Sequence, residues 1–386
     1  MYSSAFEDSF YNQPIVIDNG TNVIKGGFTG ETKPRCLEYS IVGTPKYDKI
    51  MQSNGIESDS FIGNKAQKYR GILKLRHPML RGVVQNWDDM ETIWQYVFDD
   101  TLYLENLNEH PILITEPPLN NMANRQKMCE ALFEIFGFPA VYISVSPVLS
   151  LYASGQTTGC AVDCGDGYCT SIPVYNGFSL ASSVKKIDIG GCDITEQLQF
   201  SILKNTGLFM YSSSEREIVR TIKEKVCYIA TDYNLETEKY LFNEEKMASQ
   251  FKLPDGKMLN ISQGKYTSTE ILFRPELIGS EFDSLPEICY QSIKKVDSDL
   301  RLPLYSNIVL SGGTTMCPGF GSRLLKELQT LTGYDTKIRI IAPPERKYTS
   351  WIGGSILSGL STFSKIWVTK SMWEEDNKII HSKIMH

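Results

Sequence analysis

One unusual turn is written twice in this chain. Ile15-Val16-Ile17-Asp18-Asn19-Gly20 runs into Val23-Ile24-Lys25-Gly26-Gly27-Phe28. Cys160-Ala161-Val162-Asp163-Cys164-Gly165-Asp166-Gly167 runs into Ile172-Pro173-Val174-Tyr175-Asn176-Gly177-Phe178. Each copy reads as an apolar strand, an Asp-x-Gly turn, a second strand and a closing Gly-Phe. About one domain's length of chain separates the two aspartates. Glycine-rich hairpins present backbone N–H groups with no side chain in the way, so phosphate oxygens can lie against them. An aspartate at the mouth of each would set two carboxylates beside those phosphates, a setting for a hydrated divalent cation. Asn-Gly and Asp-Gly are common turn dipeptides, so one such hairpin alone would be ordinary. Two copies in a matching frame favour a nucleotide site.

Composition narrows the class. At 386 residues the chain is long for a single core, and 41% apolar with 22% charged residues fits a soluble globular protein of two domains. A net charge of −6 supplies no basic stripe for nucleic acid. No apolar run approaches membrane-spanning length, and Met1-Tyr2-Ser3-Ser4 has no signal-peptide pattern, which leads us to expect an intracellular protein. The nine cysteines include no C-x-x-C pair and read as buried, reduced thiols, with Cys160, Cys164 and Cys169 in or beside the second hairpin. Four histidines, two of them His381 and His386, argue against a zinc site.

Strand and helix patterns alternate, the mark of an α/β protein. Met90, Ile93, Trp94, Val97 and Phe98 share one helical face over 88–102, and 111–115 reads as a buried strand. A second helix covers 124–136, with Met128, Leu132 and either Ile135 or Phe136 inward. Ser214-Glu215-Arg216-Glu217 reads as a capping box opening a helix through Ile218, Ile222, Val226 and Ile229. Further helices are expected over 319–331 and 348–360. No Ser/Pro/Gly linker separates the halves, so the chain should cross between them more than once. The stretches 44–59, with an apolar Ile50-Met51 pair, and 231–250, rich in Glu and Lys, read as exposed loops.

A third glycine element follows the hairpins. Asn307-Ile308-Val309-Leu310-Ser311-Gly312-Gly313-Thr314-Thr315-Met316 is a strand entering Ser-Gly-Gly, with a helix soon after. Such a turn lets a ribose or flat ring approach the backbone, and a helix N-terminus favours anions. With these residues in place the chain resembles the actin family, within the larger group of Hsp70-type and hexokinase-like ATPases. The resemblance runs through Asn86-Trp87-Asp88-Asp89-Met90-Glu91, Leu113-Ile114-Thr115-Glu116, Leu149-Ser150-Leu151-Tyr152-Ala153-Ser154-Gly155 and Glu215-Arg216-Glu217-Ile218-Val219-Arg220. It continues through Ile341-Ala342-Pro343-Pro344-Glu345-Arg346-Lys347-Tyr348 and Trp351-Ile352-Gly353-Gly354-Ser355, covering nearly the whole chain.

That resemblance implies two duplicated RNase H-like domains flanking a cleft that holds ATP or ADP with Mg²⁺. It divides the chain into an outer core (1–39, 78–153, 349–386) with a small loop-bearing lobe (40–77). The inner core is 154–189 with 281–348, and 190–280 forms its second lobe. Gly20, Thr21, Asn22 and Lys25 would form the first phosphate loop, and Gly165, Asp166, Gly167 and Tyr168 the second. Asp18 and Asp163 would hold the waters around the cation. Gly191, Lys223, Glu224, Gly312, Gly313, Thr314, Met316 and Lys347 would wall the ribose and base. Several positions depart from actin. Ser146 stands where actins have the glutamine that orients the attacking water, and Thr170 where they have a histidine near it. With Asp163 these are the candidates at the water site, and they imply at most a slow ATPase linked to polymerisation. Arg81 replaces a modified histidine, Cys317 an aromatic beside the base, and Asn22 a glycine. Glu7 and Asp8 make a lightly acidic N-terminus, unlike the myosin-binding tip of actin.

Actins polymerise head to tail through a loop inserted into a cleft of the next subunit, a heterologous contact that does not close. The matching loop here is 44–59, with Ile50 and Met51. The matching cleft is Tyr152, Gly155, Thr157, Phe178, Ile352, Ile356, Leu357 and Leu360, and Leu277-Ile278 resembles a plug to the opposing strand. Near-actin length, a retained plug and a divergent loop most resemble the actin-related proteins that build the short filament of dynactin, the dynein activator. That branch implies self-assembly, dynactin subunits as partners, dynein and cargo adaptors beyond them, and a cytoplasmic, cytoskeletal place at microtubules, spindle poles or the cell cortex. It implies neither nucleic-acid binding nor membrane insertion. The alternatives are a nuclear actin-related subunit of a chromatin remodeller and a divergent conventional actin. A sugar kinase would need a substrate pocket and a catalytic aspartate that the sequence does not display. A chaperone would need a peptide-binding domain after the ATPase.

Overall fold

The computed structural model describes residues 12–46, 60–242 and 249–383. Ile50 and Met51 lie outside these. The two hairpins found in the sequence each seed a sheet. In the first sheet Ile15–Asn19 pairs antiparallel with Val23–Phe28, which pairs with Cys36–Tyr39. On its other side it pairs parallel with Ile112–Glu116, which pairs parallel with Ala140–Val145. Val368–Thr369 closes that edge. The second sheet repeats the plan. Gly159–Cys164 pairs antiparallel with Cys169–Tyr175 and parallel with Ile308–Ser311, which pairs parallel with Ile340–Ile341.

Both sheets are covered on two faces, which explains why their central strands are continuous apolar runs rather than alternating ones. Ile15, Ile17 and Ile24 pack with Met90, Ile93, Trp94, Val97 and Phe98, the helical face read from the sequence. On the reverse face Val16, Leu113 and Tyr142 meet Leu149 and Trp351. The second sheet packs Val162, Ile308 and Leu310 against Ile288, Ile293 and Leu324. Its reverse face sets Ile172, Val174 and Val309 against Val148 and Leu151.

The helices Ser146–Ala153 and Thr349–Ser358 carry the chain between the sheets, one outward and one back. They meet backbone to backbone. A Cβ on Gly353 would lie 1.8 Å from the Leu149 carbonyl oxygen, so no other residue fits there. Ser150 Oγ and Ser350 Oγ share a hydrogen bond of 2.9 Å across the same seam, and Trp351 Nε1 donates to the Val16 carbonyl.

Several local expectations need correction. The box that opens the helix Ser213–Val226 is Ser212 with Glu215: the Ser212 hydroxyl accepts from Glu215 N, and the Glu215 carboxylate accepts from Ser212 N. Ser214 lies inside the first turn. That helix stops at Val226, because Cys227 is extended, and Ile229 sits beyond it in the second core. Residues 231–250 are not simply loop, since Tyr233–Phe242 is a helix that buries Tyr240. The helix over 88–102 is α-helical to Tyr96 and widens to π geometry over Val97–Thr101. At the end of the 124–136 helix it is Phe136 that turns inward, while Ile135 is exposed. All nine cysteines are free thiols; seven are buried as expected, while Cys192 and Cys317 are half-buried.

The backbone contact at Gly353 makes a direct prediction. Gly353→Ala should lower stability by about 2 kcal/mol or more, the scale of overpacking in a tight core. A thermal or urea melt matching the parent would refute it.

Candidate functional site

The two hairpins, one in each sheet, open onto one shared cavity. Their turns, the Ser-Gly-Gly turn and the start of Ser146–Ala153 enclose a cavity of about 430 Å³. Asp18 and Asp163 both line it and are both buried. Each acid is held the same way. Thr115 Oγ1, on the parallel neighbour of the first strand, donates to Asp18 Oδ1 at 2.9 Å. Ser311 Oγ, on the parallel neighbour of the second, donates to Asp163 Oδ1 at 2.6 Å. The antiparallel partners differ: Asp18 faces Lys25, and Asp163 faces Thr170. The Lys25 ammonium bonds to Asp18 Oδ2. Thr170 is fully buried, and its hydroxyl has no hydrogen-bond partner among the described residues.

Burial raises the Asp163 carboxyl to about 6, the Ser311 hydrogen bond works against that, and the nearby Asp18 charge adds to it. Two acids that repel across a cavity have an unmet need for positive charge. Among the described residues no group of three or more His, Cys, Asp or Glu gathers to cage a bare metal ion. Two carboxylates, each steadied by a hydroxyl, suit a hydrated Mg²⁺ shared with phosphate oxygens. Gly313 lines the cavity with no atom within 4 Å of where its Cβ would stand, leaving the backbone open to a ligand.

The cavity also brings together Gly20, Thr21, Asn22, Gly165, Asp166, Tyr168, Lys223, Glu224, Gly312, Thr314, Met316 and Lys347, with Ser146 at one end. Gly167 and Gly191 stand just behind its wall. Gly167 backs onto Thr21, and Lys223 Nζ donates to the Gly191 carbonyl at 2.7 Å. Thr314 Oγ1 donates to the Gly165 carbonyl at 2.7 Å, joining the third glycine turn to the second hairpin. Thr170 does not line the cavity.

Sequence reasoning missed Thr115 and Ser311 as site residues. Their signal was a hydroxyl residue at or next to the end of the strand that pairs parallel with each hairpin's first strand, visible only once the pairing is known. It also missed Tyr39 and Arg220, which line the cavity too; Arg220 lies over the Tyr39 ring, 4.9 Å from its centroid.

At the far side of the seam, Tyr152, Ile352 and Leu357 pack as partly buried residues on one cluster. Tyr152 Oη donates to the Gly177 carbonyl at 2.5 Å, which sets Phe178 beside it, exposed; Gly177 N donates to the Thr157 carbonyl. Gly155 ends this helix with φ +71°. Ile356 and Leu360 are exposed. Leu277 is exposed at the tip of Pro275–Ile278, while Ile278 packs partly on the second core.

A duplicated hairpin, with its two acids facing one cavity and two helices joining the sheets, defines an actin-type nucleotide fold. The chain belongs to the actin family, whose profile matches residues 10–385. It is 56% identical over 377 residues to a protein named centractin from Saccharomyces cerevisiae, covering 98% of each chain. It is 48% identical over 379 residues to an actin-like protein from Neurospora crassa, covering 97% of this chain and 99% of that one. No helix among the described residues is long and apolar enough to cross a membrane.

The raised Asp163 carboxyl gives a pH test. Its folded value lies above the unfolded one, so folding favours the neutral acid. That contribution is full below the unfolded value near 4 and is lost as pH rises through about 6. In nucleotide-free protein, Asp163→Asn should therefore raise the melting midpoint more at pH 7.5 than at pH 5. Equal shifts at both would show that Asp163 ionises normally.

Proposed function

We propose that this protein binds ATP with Mg²⁺ and assembles head to tail into a short actin-like filament. The filament would be the backbone of dynactin, supporting dynein-driven transport along microtubules and the positioning of nucleus and spindle. The observation that carries the nucleotide half is the pair of hydroxyl-held acids, Asp18 and Asp163, facing one glycine-lined cavity. The filament half rests on family membership and the identity to centractin.

In this reading the two halves correspond to the outer and inner domains with the boundaries given above. Asp18 and Asp163 orient water around the cation, which when bound neutralises the phosphates. Lys25, already partnered with Asp18, adds a second positive charge at the phosphates. The backbone of Gly20–Asn22 and Gly165–Tyr168 receives phosphate oxygens, and Lys223, Glu224, Met316 and Lys347 wall the ribose and base. Hydrolysis is slow at most. Ser146 offers only a short hydroxyl, Thr170 is withdrawn from the cavity, and neither can take a proton as an imidazole can. The partners are other copies of this chain, dynactin subunits, and through them dynein and cargo adaptors, in the cytoplasmic cytoskeleton.

Mg-ATP should raise the melting temperature of the purified protein, because a ligand bridging both halves stabilises only the folded state. Asp18→Ala should remove most of that rise; if ATP gives no shift in the parent, the nucleotide reading falls. Ile356→Asp combined with Leu360→Asp should abolish filaments in electron micrographs while keeping the ATP-induced shift. Short filaments from the parent support the dynactin reading, whereas a persistent monomer favours a nuclear actin-related subunit.

A further inference from the structure

In the turn Gly165-Asp166-Gly167-Tyr168 only the last residue brings an aromatic ring to the cavity. Its backbone is fixed: the Tyr168 carbonyl accepts from Gly165 N at 3.0 Å, and a Cβ on Gly190 would stand 2.7 Å from Tyr168 N. The ring is slotted as tightly. Gly82, at φ +84°, lies along one edge, where a Cβ would stand 2.4 Å from Cε1. The Lys186 ammonium lies over the ring, 4.9 Å from its centroid, a cation–π contact. A tyrosine has only two side-chain torsions, so a ring held at edge and face aims its hydroxyl in one direction.

That hydroxyl points into a polar corner. The Ser146 side chain is its hydrogen-bonding neighbour, and the charges of Asp163 and Asp18 act on it. Ser146, Asp163, Asp18 and Tyr168 all line the cavity. Burial above all, then the Asp163 charge, pushes the phenol well up; the Ser146 contact works against that, and Asp18 adds to it. A phenol held up in this way keeps its proton, so it acts as a donor and not as a base. Among the described residues neither acid takes that proton. Asp18 accepts from Thr115 and Lys25, and Asp163 accepts from Ser311. A buried donor with no acceptor is costly, and an anionic oxygen in the cavity would supply one.

We propose that the Tyr168 hydroxyl recognises the end of the phosphate chain, donating to an oxygen of the third phosphate so that the site prefers a nucleoside triphosphate to a diphosphate. This rests on the nucleotide reading above, in which Lys223, Glu224, Met316 and Lys347 wall the ribose and base and the free end of the phosphates points toward Ser146. The hydroxyl, and not the ring, is the discriminating group. A charge-assisted hydrogen bond of this kind is worth about tenfold in affinity.

The test is calorimetric titration of Mg-ATP and Mg-ADP into nucleotide-free protein. Tyr168→Phe keeps the slotted ring and should weaken Mg-ATP about tenfold while leaving Mg-ADP unchanged, so the preference for the triphosphate collapses. Equal weakening of both nucleotides overturns the proposal, because it shows that the phenol only supports the loop. Unchanged affinity for both overturns it as well. If Tyr168→Phe does not fold, Tyr168→Leu is titrated in its place, and the ratio of the two affinities decides. A parent that binds both nucleotides but shows no preference for Mg-ATP overturns this proposal alone. A parent that binds neither overturns the nucleotide reading and this proposal with it.

Discussion

Two buried carboxylates facing one cavity organise this molecule. Like charges in a low-dielectric setting repel, and the raised Asp163 carboxyl records that tension together with the cost of burial. A fold keeps such a pair only where something positive completes it. Lys25 answers part of the demand from the Asp18 side. Opposite Asp163 the register offers the neutral Thr170 instead. The asymmetry leaves the second acid as the one that most needs a cation, which is why a ligand bridging both hairpins would act on the stability of the whole chain.

The halves are joined in a way that transmits such an effect. Ser146–Ala153 and Thr349–Ser358 touch through Leu149 and Gly353 with no side chain between them, so the seam is closely packed. Ser146, the first residue of one of these helices, lines the cavity itself. The same helices carry Tyr152, Ile356 and Leu357 toward the opposite surface. The cavity and the proposed assembly face are thus linked by the same pair of short helices.

Much of this was legible in the sequence, for physical reasons. The hairpins announce themselves because an Asp-x-Gly turn between apolar runs has few other conformations, and the repeat fixed their correspondence. The Met90–Phe98 face was legible from its helical period. What escaped was set by pairing rather than pattern. Thr115 and Ser311 are isolated hydroxyls at strand ends, and only the parallel register aims them at the acids. Ser212 escaped because consecutive serines, 212 to 214, offer several capping frames, and the winner is decided by which one sits three residues before a free glutamate. The helix Tyr233–Phe242 was hidden by its charge: it buries little beyond Tyr240, so it lacks the apolar stripe that reveals a helix.

Three departures from actin chemistry lie around the second acid and its loop: Ser146 lines the cavity, Thr170 faces Asp163, and Arg81 donates to the Gly167 carbonyl. Ser146 and Thr170 shorten the groups available to a water. Arg81 ties the two cores together through Asp193. Under the proposed function, weaker hydrolysis would extend the lifetime of a bound nucleotide. In the proposed filament, a nucleotide that reacts slowly would serve as a structural rivet between the halves. The same substitutions that would impair a treadmilling polymer therefore suit a static one.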